Sequence, residues 1–349
     1  MKRLALSLAF LALPLMAQNT PTNPPKFGEN VDVNAVLIDA VVTDRGGNQI
    51  LGLDKQDFVV KENGVEQTID SIDYFTNRKL LNAPEEKAPF RVEQVHEERY
   101  FIFFFDKPTE AQLFDEVALA RRAARDFVDH QMREGDRVAV VGHDVRLKVY
   151  SDFTNNRAQL DRAIDDAGRF SLGITNGDGP ILGHVNKKQM MDRSGTVYEA
   201  LNVLADALRS LKARKNLVLF SAGILEQGQS VTSEGVVLTE SRYYKPMIEA
   251  LNAANVTVYG INLQRNAPEV PAFHQTLDRL TAETNGEYYR RPVNFEPIVK
   301  KIEQATNGYY LITYTSHHPK GTSGYQHVEV SLRNPDLRVR AREGYSYGQ

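Results

Sequence analysis

Apolar and polar positions follow two different patterns along this chain. From Val31 to Phe75 they alternate with the period of two expected of half-buried strands. VDVNAVLIDAVVTDRGGNQI places Val31, Val33, Ala35 and Leu37 on one face before a turn at Gly46-Gly47-Asn48. DFVVKENGVEQTIDSIDYF follows, and its Asn63-Gly64 pair between β-prone runs predicts a tight hairpin. Residues 31–76 therefore predict a small antiparallel β unit. Residues 77–98 are polar, carry two prolines and have no clean period, so they read as a connection.

From Tyr100 the pattern changes to strand, helix, strand, helix. YFIFFF is continuously apolar, as expected of a central parallel strand covered on both faces. Leu113, Val117, Ala120, Ala124, Phe127 and Val128 recur at helical spacing, REGDRVAVVGH supplies a turn and a second buried strand, and LKVYSDF reads as a short edge strand. NRAQLDRAIDDAG predicts a helix closed by Gly168. Val197, Leu201, Leu204, Leu208 and Leu211 line one face of the next helix, and NLVLFSAG is the strand after it. VTVYGINL, a helix before and after it, a last strand beyond Gly286 and a helix over FEPIVKKIEQATNG complete residues 99–307. Such alternation predicts an α/β fold with a doubly wound, mostly parallel sheet. The tail, 308–349, returns to β in YYLITYTS, YQHVEVSLR and LRVRAREGY. These strands are expected to pair with 31–76 in a β-sandwich that encloses the α/β domain. The alternative is a separate hairpin on that domain, which is marginal in isolation.

The leader changes the cellular picture. MKRLALSLAFLALPLMAQ sets Lys2 and Arg3 before an apolar run from Leu4 to Leu15 and a small residue at Ala17, the pattern of a signal peptide over 1–17. Residues 18–30 are rich in Pro and Asn and read as an extended linker. A periplasmic or secreted protein is expected. No later segment approaches the ~20 apolar residues of a transmembrane helix, so none is expected in the mature protein. The absence of cysteine removes disulfides and thiol chemistry. A net charge of -3 with no long basic block argues against a nucleic-acid partner.

Candidate chemistry gathers at strand ends, where open α/β sheets bind ligands. Asp106 ends the YFIFFF strand, where a carboxylate can face water, cap the helix expected near Thr109, or coordinate a cation. Ser221 ends NLVLF, but Leu219 stands where a nucleophile elbow needs glycine. His143, Asp144 and His184 could form a metal site for a hydrolase. His317, His318 and His327 are irregularly spaced and read as surface turns, and GITNGDG follows no strand in a phosphate-binding arrangement. GITNGDG itself, within the longer insertion 170–194, reads as a mobile binding loop.

YFIFFFD, SGTVYEALNVLADALRSLKARKNLVLFSAG and VTVYGINL, in that order, resemble a von Willebrand factor A domain. The flanking β segments are similar to those of the exported von Willebrand factor A-related proteins of Acidobacteria. The resemblance implies a metal-ion-dependent adhesion site with the pattern D-x-S-x-S, a Thr from a second loop and an Asp from a third. Asp106 matches the first Asp and Thr196 the Thr, whereas Pro108, Glu110 and Ala222 stand at the remaining positions. Asp106, Thr196 and Glu110 could hold Mg²⁺ weakly, and the site reads as lapsed, with no cofactor expected. The reading is an exported, non-enzymatic binding protein of adhesion type that meets a protein partner or a cell-envelope component through its loops. The alternatives are the metal-dependent hydrolase and a structural envelope component.

Overall fold

The computed structural model describes residues 31–76, 91–93, 98–108, 113–211, 213–224, 229–232, 235–238, 242–264, 271–290, 292–319 and 322–348. The leader, the linker, most of the 77–98 connection and Glu110 lie outside them.

Five strands come first: β1 (Val31–Thr43), β2 (Phe58–Glu62), β3 (Val65–Gln67), β4 (Ile69–Thr76) and β5 (Arg91–Glu93). The middle runs β6 (Arg99–Asp106), α1 (Phe114–Asp126) with a π-helical turn at Phe127–Gln131, β7 (Asp136–His143), β8 (Leu147–Thr154), α2 (Arg157–Gly168), α3 (Lys187–Asp192) and α4 (Val197–Leu208). It continues through β9 (Lys215–Ser221), β10 (Gln229–Thr232), β11 (Gly235–Leu238), α5 (Tyr244–Ala253), β12 (Val256–Asn262), α6 (Pro271–Glu283), β13 (Tyr288–Tyr289) and α7 (Glu296–Ala305). β14 (Gly308–Pro319), β15 (Gly324–Leu332), β16 (Arg338–Ala341) and β17 (Gly344–Tyr347) close the chain. The fold is α/β, with a mostly parallel central sheet flanked by antiparallel sheets.

The central sheet has the order β13-β12-β9-β6-β7-β8, parallel throughout except for β8, which runs antiparallel at one edge. The pleat of YFIFFF explains its unbroken apolar text. Phe101, Phe103 and Phe105 enter the core under α1, α2 and α7, while Ile102 and Phe104 enter the core under α4, α5 and α6. Each such side chain contributes about 1.5–3 kcal/mol on full burial. The chain builds outward from β6 in one direction and from β9 in the other, so strand order reverses between these two neighbours.

Two sheets, β16-β1-β14-β4-β5, antiparallel except for the parallel β4–β5 pair, and the antiparallel β17-β15-β2-β3, share a second core that includes Ile38, Phe58, Val60, Tyr310, Ile312, Tyr314 and Val328. The two ends of the chain therefore meet in one sandwich, with β1 antiparallel to β14 from Val31↔Pro319 to Ala40↔Tyr310. Asn63 and Gly64 join β2 to β3 with φ of 48° and 82°, the pair of positive values that a two-residue hairpin of this hand demands.

Two local readings change. The sandwich core takes Val36, Ile38, Ala40 and Val42 from β1, whereas Leu37 is exposed, so the inward face is opposite to the one on which Val31, Val33, Ala35 and Leu37 lie. Both faces of β1 carry apolar residues, and the outer one meets the α/β unit, where Asn285 Nδ2 donates to the Asp39 carbonyl at 3.3 Å. Gly168 is the last helical residue of α2, not its left-handed stop, which is Phe170 at φ 53°. A Cβ at Gly168 would lie 1.9 Å from Arg121 Cδ on α1, so a larger residue there would require the Arg121 side chain to move.

One guanidinium ties the start of the α/β unit to its end. Arg99 donates to both Asp136 oxygens at 2.7 Å, to Glu303 at 2.9 Å and to Asn307 Oδ1 at 2.9 Å, all buried. A buried charge is tolerated when it is paired and hydrogen-bonded in this way.

Candidate functional site

Strand register sets the site. Asp106 faces His143 across the β6–β7 pair, and Phe105 faces Phe220 across β6–β9, so Ser221 lies beside Asp106 at the same sheet edge. Each of these polar residues is the last position of a strand, which delivers all three to the carboxyl edge at the reversal point.

The three groups are buried and lie side by side. Ser221 Oγ donates to Asp106 Oδ2 at 2.7 Å and accepts from the Gly223 amide at 3.1 Å. His143 Nδ1 lies 3.5 Å from Asp106 Oδ1. Its Nε2 is 3.1 Å from the Ser194 carbonyl, which can only accept, so that nitrogen carries a hydrogen. Ser194 Oγ in turn accepts from the Leu147 amide at 2.8 Å and donates to the Met190 carbonyl. The row thus continues from the β9 end to the segment that follows α3.

The helix start expected near Thr109, which Asp106 would cap, lies outside the described residues. The described α1 begins at Phe114 with Leu113 as N-cap and no side-chain cap bond, and the Asp106 carboxylate takes the Ser221 hydroxyl. Thr196 is the N-cap of α4 in a capping box: its hydroxyl accepts from the Glu199 amide at 3.2 Å and donates to Glu199 Oε2 at 3.1 Å. A cation at this edge would need oxygens with free lone pairs converging on one point. Here Asp106 Oδ2 and the Thr196 hydroxyl each engage protein partners, Pro108 and Ala222 supply no side-chain oxygen, and Glu110 lies outside the described residues.

The other candidates lie apart. Asp144 pairs with Lys148 Nζ at 2.6 Å, and exposed His184 places Nδ1 3.1 Å from the Pro180 carbonyl. Among the described residues no three His, Asp or Glu side chains converge as metal ligands. Ser221 points its hydroxyl at the Asp106 carboxylate rather than at the His143 imidazole, an arrangement unlike a serine–histidine pair. His318 departs from the surface-turn reading. It is buried in the sandwich, stacked on Tyr347 at 3.8 Å and 3.0 Å from the Tyr345 hydroxyl.

The insertion 170–194 divides into two parts. Ile181, Leu182, Val185 and Met190 are buried, and Asp152 accepts from the Ile181 and Leu182 amides at 3.1 and 2.8 Å. Asn186 and Gln189 close a capping box on α3. This anchored part lies beyond the glycine-rich GITNGDG. The earlier part is surface. Lys148 Nζ holds the Phe170 and Ser171 carbonyls at 2.9 and 3.0 Å, and Leu172 beyond them is 92% exposed. Val145, in the β7–β8 turn at the same edge, is 65% exposed.

The Ser221–Asp106–His143 row was not foreseen from sequence as a unit. Its signal was present: YFIFFFD, VAVVGH and NLVLFS each end an apolar run on a polar residue, and only the register joins them.

No family model matches the chain, and no curated protein matches it. Solved structures do. The human COPII-coat protein Sec24c is similar at 11% identity and a TM-score of 0.43, over 71% of this chain and 44% of that one. The vWF domain of the type V pili tip protein Mfa5 from Porphyromonas gingivalis is similar at 11% identity and a TM-score of 0.42, over 61% of this chain and 96% of that one. An aerotolerance-related membrane protein from Bacteroides fragilis is similar at 12% identity and a TM-score of 0.39, over 59% and 98% respectively. No described helix of the chain is long and apolar enough to cross a membrane.

Proposed function

We propose that the chain is an exported, non-enzymatic binding protein of adhesion type, and that its α/β unit, of von Willebrand factor A kind, meets a protein partner through the carboxyl edge of the central sheet. One observation carries the reading. At that edge the polar groups satisfy one another inward, as Ser221, Asp106 and His143 do, while Leu172 and Val145 present apolar surface outward. A catalytic edge would expose its nucleophile, base or ligands; this one exposes side chains suited to contact. Apolar groups rimmed by polar ones mark interaction sites more often than chemistry.

The rigid sheet positions the edge and the segment 171–179 supplies its variable surface. Divalent metal takes no part in this reading, and weak Mg²⁺ binding is the most that Asp106 and Thr196 would support. The test is capture from cell-envelope extract by the purified chain and by Leu172→Asp with Val145→Asp. Loss of a specific captured protein in the variant, with folding retained by circular dichroism, is the expected result. Equal capture by both proteins would move the binding surface elsewhere, and turnover of an ester or peptide substrate abolished by Ser221→Ala would replace the reading with an enzyme.

A further inference from the structure

A second surface lies at the other end of the central sheet. Asp106 ends β6 and Arg99 begins it, so the two edges are separated by about 23 Å at roughly 3.3 Å per residue. Near the Arg99 edge, where α7 ends and the sandwich meets the α/β unit, there is an open cleft of about 570 Å³. That volume is in the range of natural ligand sites.

Its charge is unbalanced. Arg45, Lys301, Arg338 and Arg340 line it against the carboxylates of Asp44 and Glu287. Glu287 is shared between Lys301 at 2.9 Å and Arg340 at 3.3 Å. Asp44 is occupied within its own turn, accepting from the Asn48 amide at 2.8 Å and from Asn48 Nδ2 at 2.9 Å, bonds that hold its carboxyl below the usual range. Arg45 pairs outward with Asp336, both about three-quarters exposed at 74% and 71%, and such surface pairs exchange at little cost. Arg338 is exposed and makes no ion pair with any described residue.

The wall is built rather than incidental. The turn that carries Asp44 and Arg45 is clamped to α7 and β14 by Gln49, whose Nε2 donates to the Ala305 and Gly308 carbonyls at 3.2 and 3.0 Å. Two guanidiniums, Arg338 and Arg340, stand on the same face of β16, because alternate strand positions share a face.

We propose that this cleft binds an acidic peptide segment, with carboxylates on Arg338 and Arg45 and an aliphatic side chain against Leu51. Guanidinium forks match carboxylates in two-bond geometry. Leu51 is 46% exposed at the cleft, which supplies the apolar contact an amino-acid side chain would use. Nucleobases favour an exposed aromatic platform. Among the described residues lining the cleft the one aromatic, Tyr74, is buried.

The experiment uses the full chain and a fluorescein-labelled hexapeptide of alternating glutamate and leucine, followed by fluorescence anisotropy. Saturable binding at low salt is expected, at least tenfold weaker for Arg338→Glu with Arg45→Glu and weakened again at about 0.5 M salt, where charges are screened within a few ångströms. The glutamine counterpart of the peptide should not bind, and Leu172→Asp should leave binding unchanged. Absence of binding at about 1 mM peptide, or unchanged affinity in the double variant, overturns the proposal. So does stronger binding of oligogalacturonate or inorganic phosphate than of the peptide. Both substituted positions are exposed, and matching melting curves establish that the variant is folded.

Discussion

Ser221 Oγ donates to Asp106 Oδ2 at 2.7 Å across the point where the strand order of the central sheet reverses. The hydroxyl of one strand thereby engages the carboxylate that ends its neighbour, and the bond is buried. A hydrogen bond to a charged group contributes about 1.5–3 kcal/mol. Ser221→Ala is therefore expected to lower unfolding free energy by roughly that amount in urea titration. Adding Asp106→Ala should cost less than the sum of the single changes, since both remove the same interaction. Strict additivity would show that the two groups do not depend on each other.

Metal binding gives a sharper test of the same edge. A ligand raises stability by RT ln(1 + [L]/Kd), so about 1 mM Mg²⁺ against a Kd of roughly 10 mM adds only about 0.06 kcal/mol. No melting shift is expected for the native chain. Pro108→Ser with Ala222→Asp supplies two further oxygen-bearing side chains and should make the chain Mg²⁺-responsive. A shift of several degrees in the unmodified protein, lost in Asp106→Ala, would establish a working metal site instead.

The insertion should respond unevenly to change. Leu172→Asp alters an exposed position and should stay within about 0.5 kcal/mol of the native stability. Ile181→Ala opens a buried cavity and should cost about 2–5 kcal/mol. Limited proteolysis is expected to nick within 171–179 and to spare 181–192; cleavage first inside α3 would contradict the anchoring by Asp152.

These contrasts show what sequence could and could not convey. YFIFFF announced a strand buried on both faces, and Asn63-Gly64 announced its hairpin, because burial and turn geometry each leave a local mark. The partners of Asp106 left none: whether it meets water, metal or a hydroxyl depends on which residues the register places beside it. Pattern also left the inward face of β1 unassigned, since apolar residues stand on both faces, Val36 and Ile38 on one and Leu37 and Val41 on the other. The same ambiguity hid Ile181 and Leu182 in glycine-rich text, whose anchor, Asp152, lies on another element.

Glu283 provides a dependence on pH. Burial pushes its carboxyl above the ordinary value, against the opposing effect of Arg279 at 3.4 Å. The folded chain therefore holds this proton to higher pH than the unfolded chain. Stability contributed by this group is greatest below the unfolded value and declines as pH rises through the folded one. Glu283→Gln should gain stability over the native chain near neutral pH, and the difference should close toward about pH 4. A difference that widened on acidification would reverse the sign and refute the assignment.

The sandwich strands are expected to depend on each other. A polypeptide of residues 30–98 lacks β14, the partner of both β1 and β4, and should show no cooperative unfolding. A sharp transition by circular dichroism would mean that the N-terminal strands form a core alone.

The pairing of Thr76 with Gly308 makes everything between them one long loop, and Arg99 bonded to Asn307 ties the loop's neck. Bringing two distant strands together through an unstructured chain is entropically slow. A folded α/β unit instead presents its two ends side by side. The expected order of assembly therefore runs from the middle of the chain outward, with β6 and its neighbours first and the meeting of β4 with β14 last, an order that pulsed hydrogen exchange would check. On that order β1 and β4 wait during synthesis without their partner β14, and that interval is when their open edges are most exposed to capture by another chain.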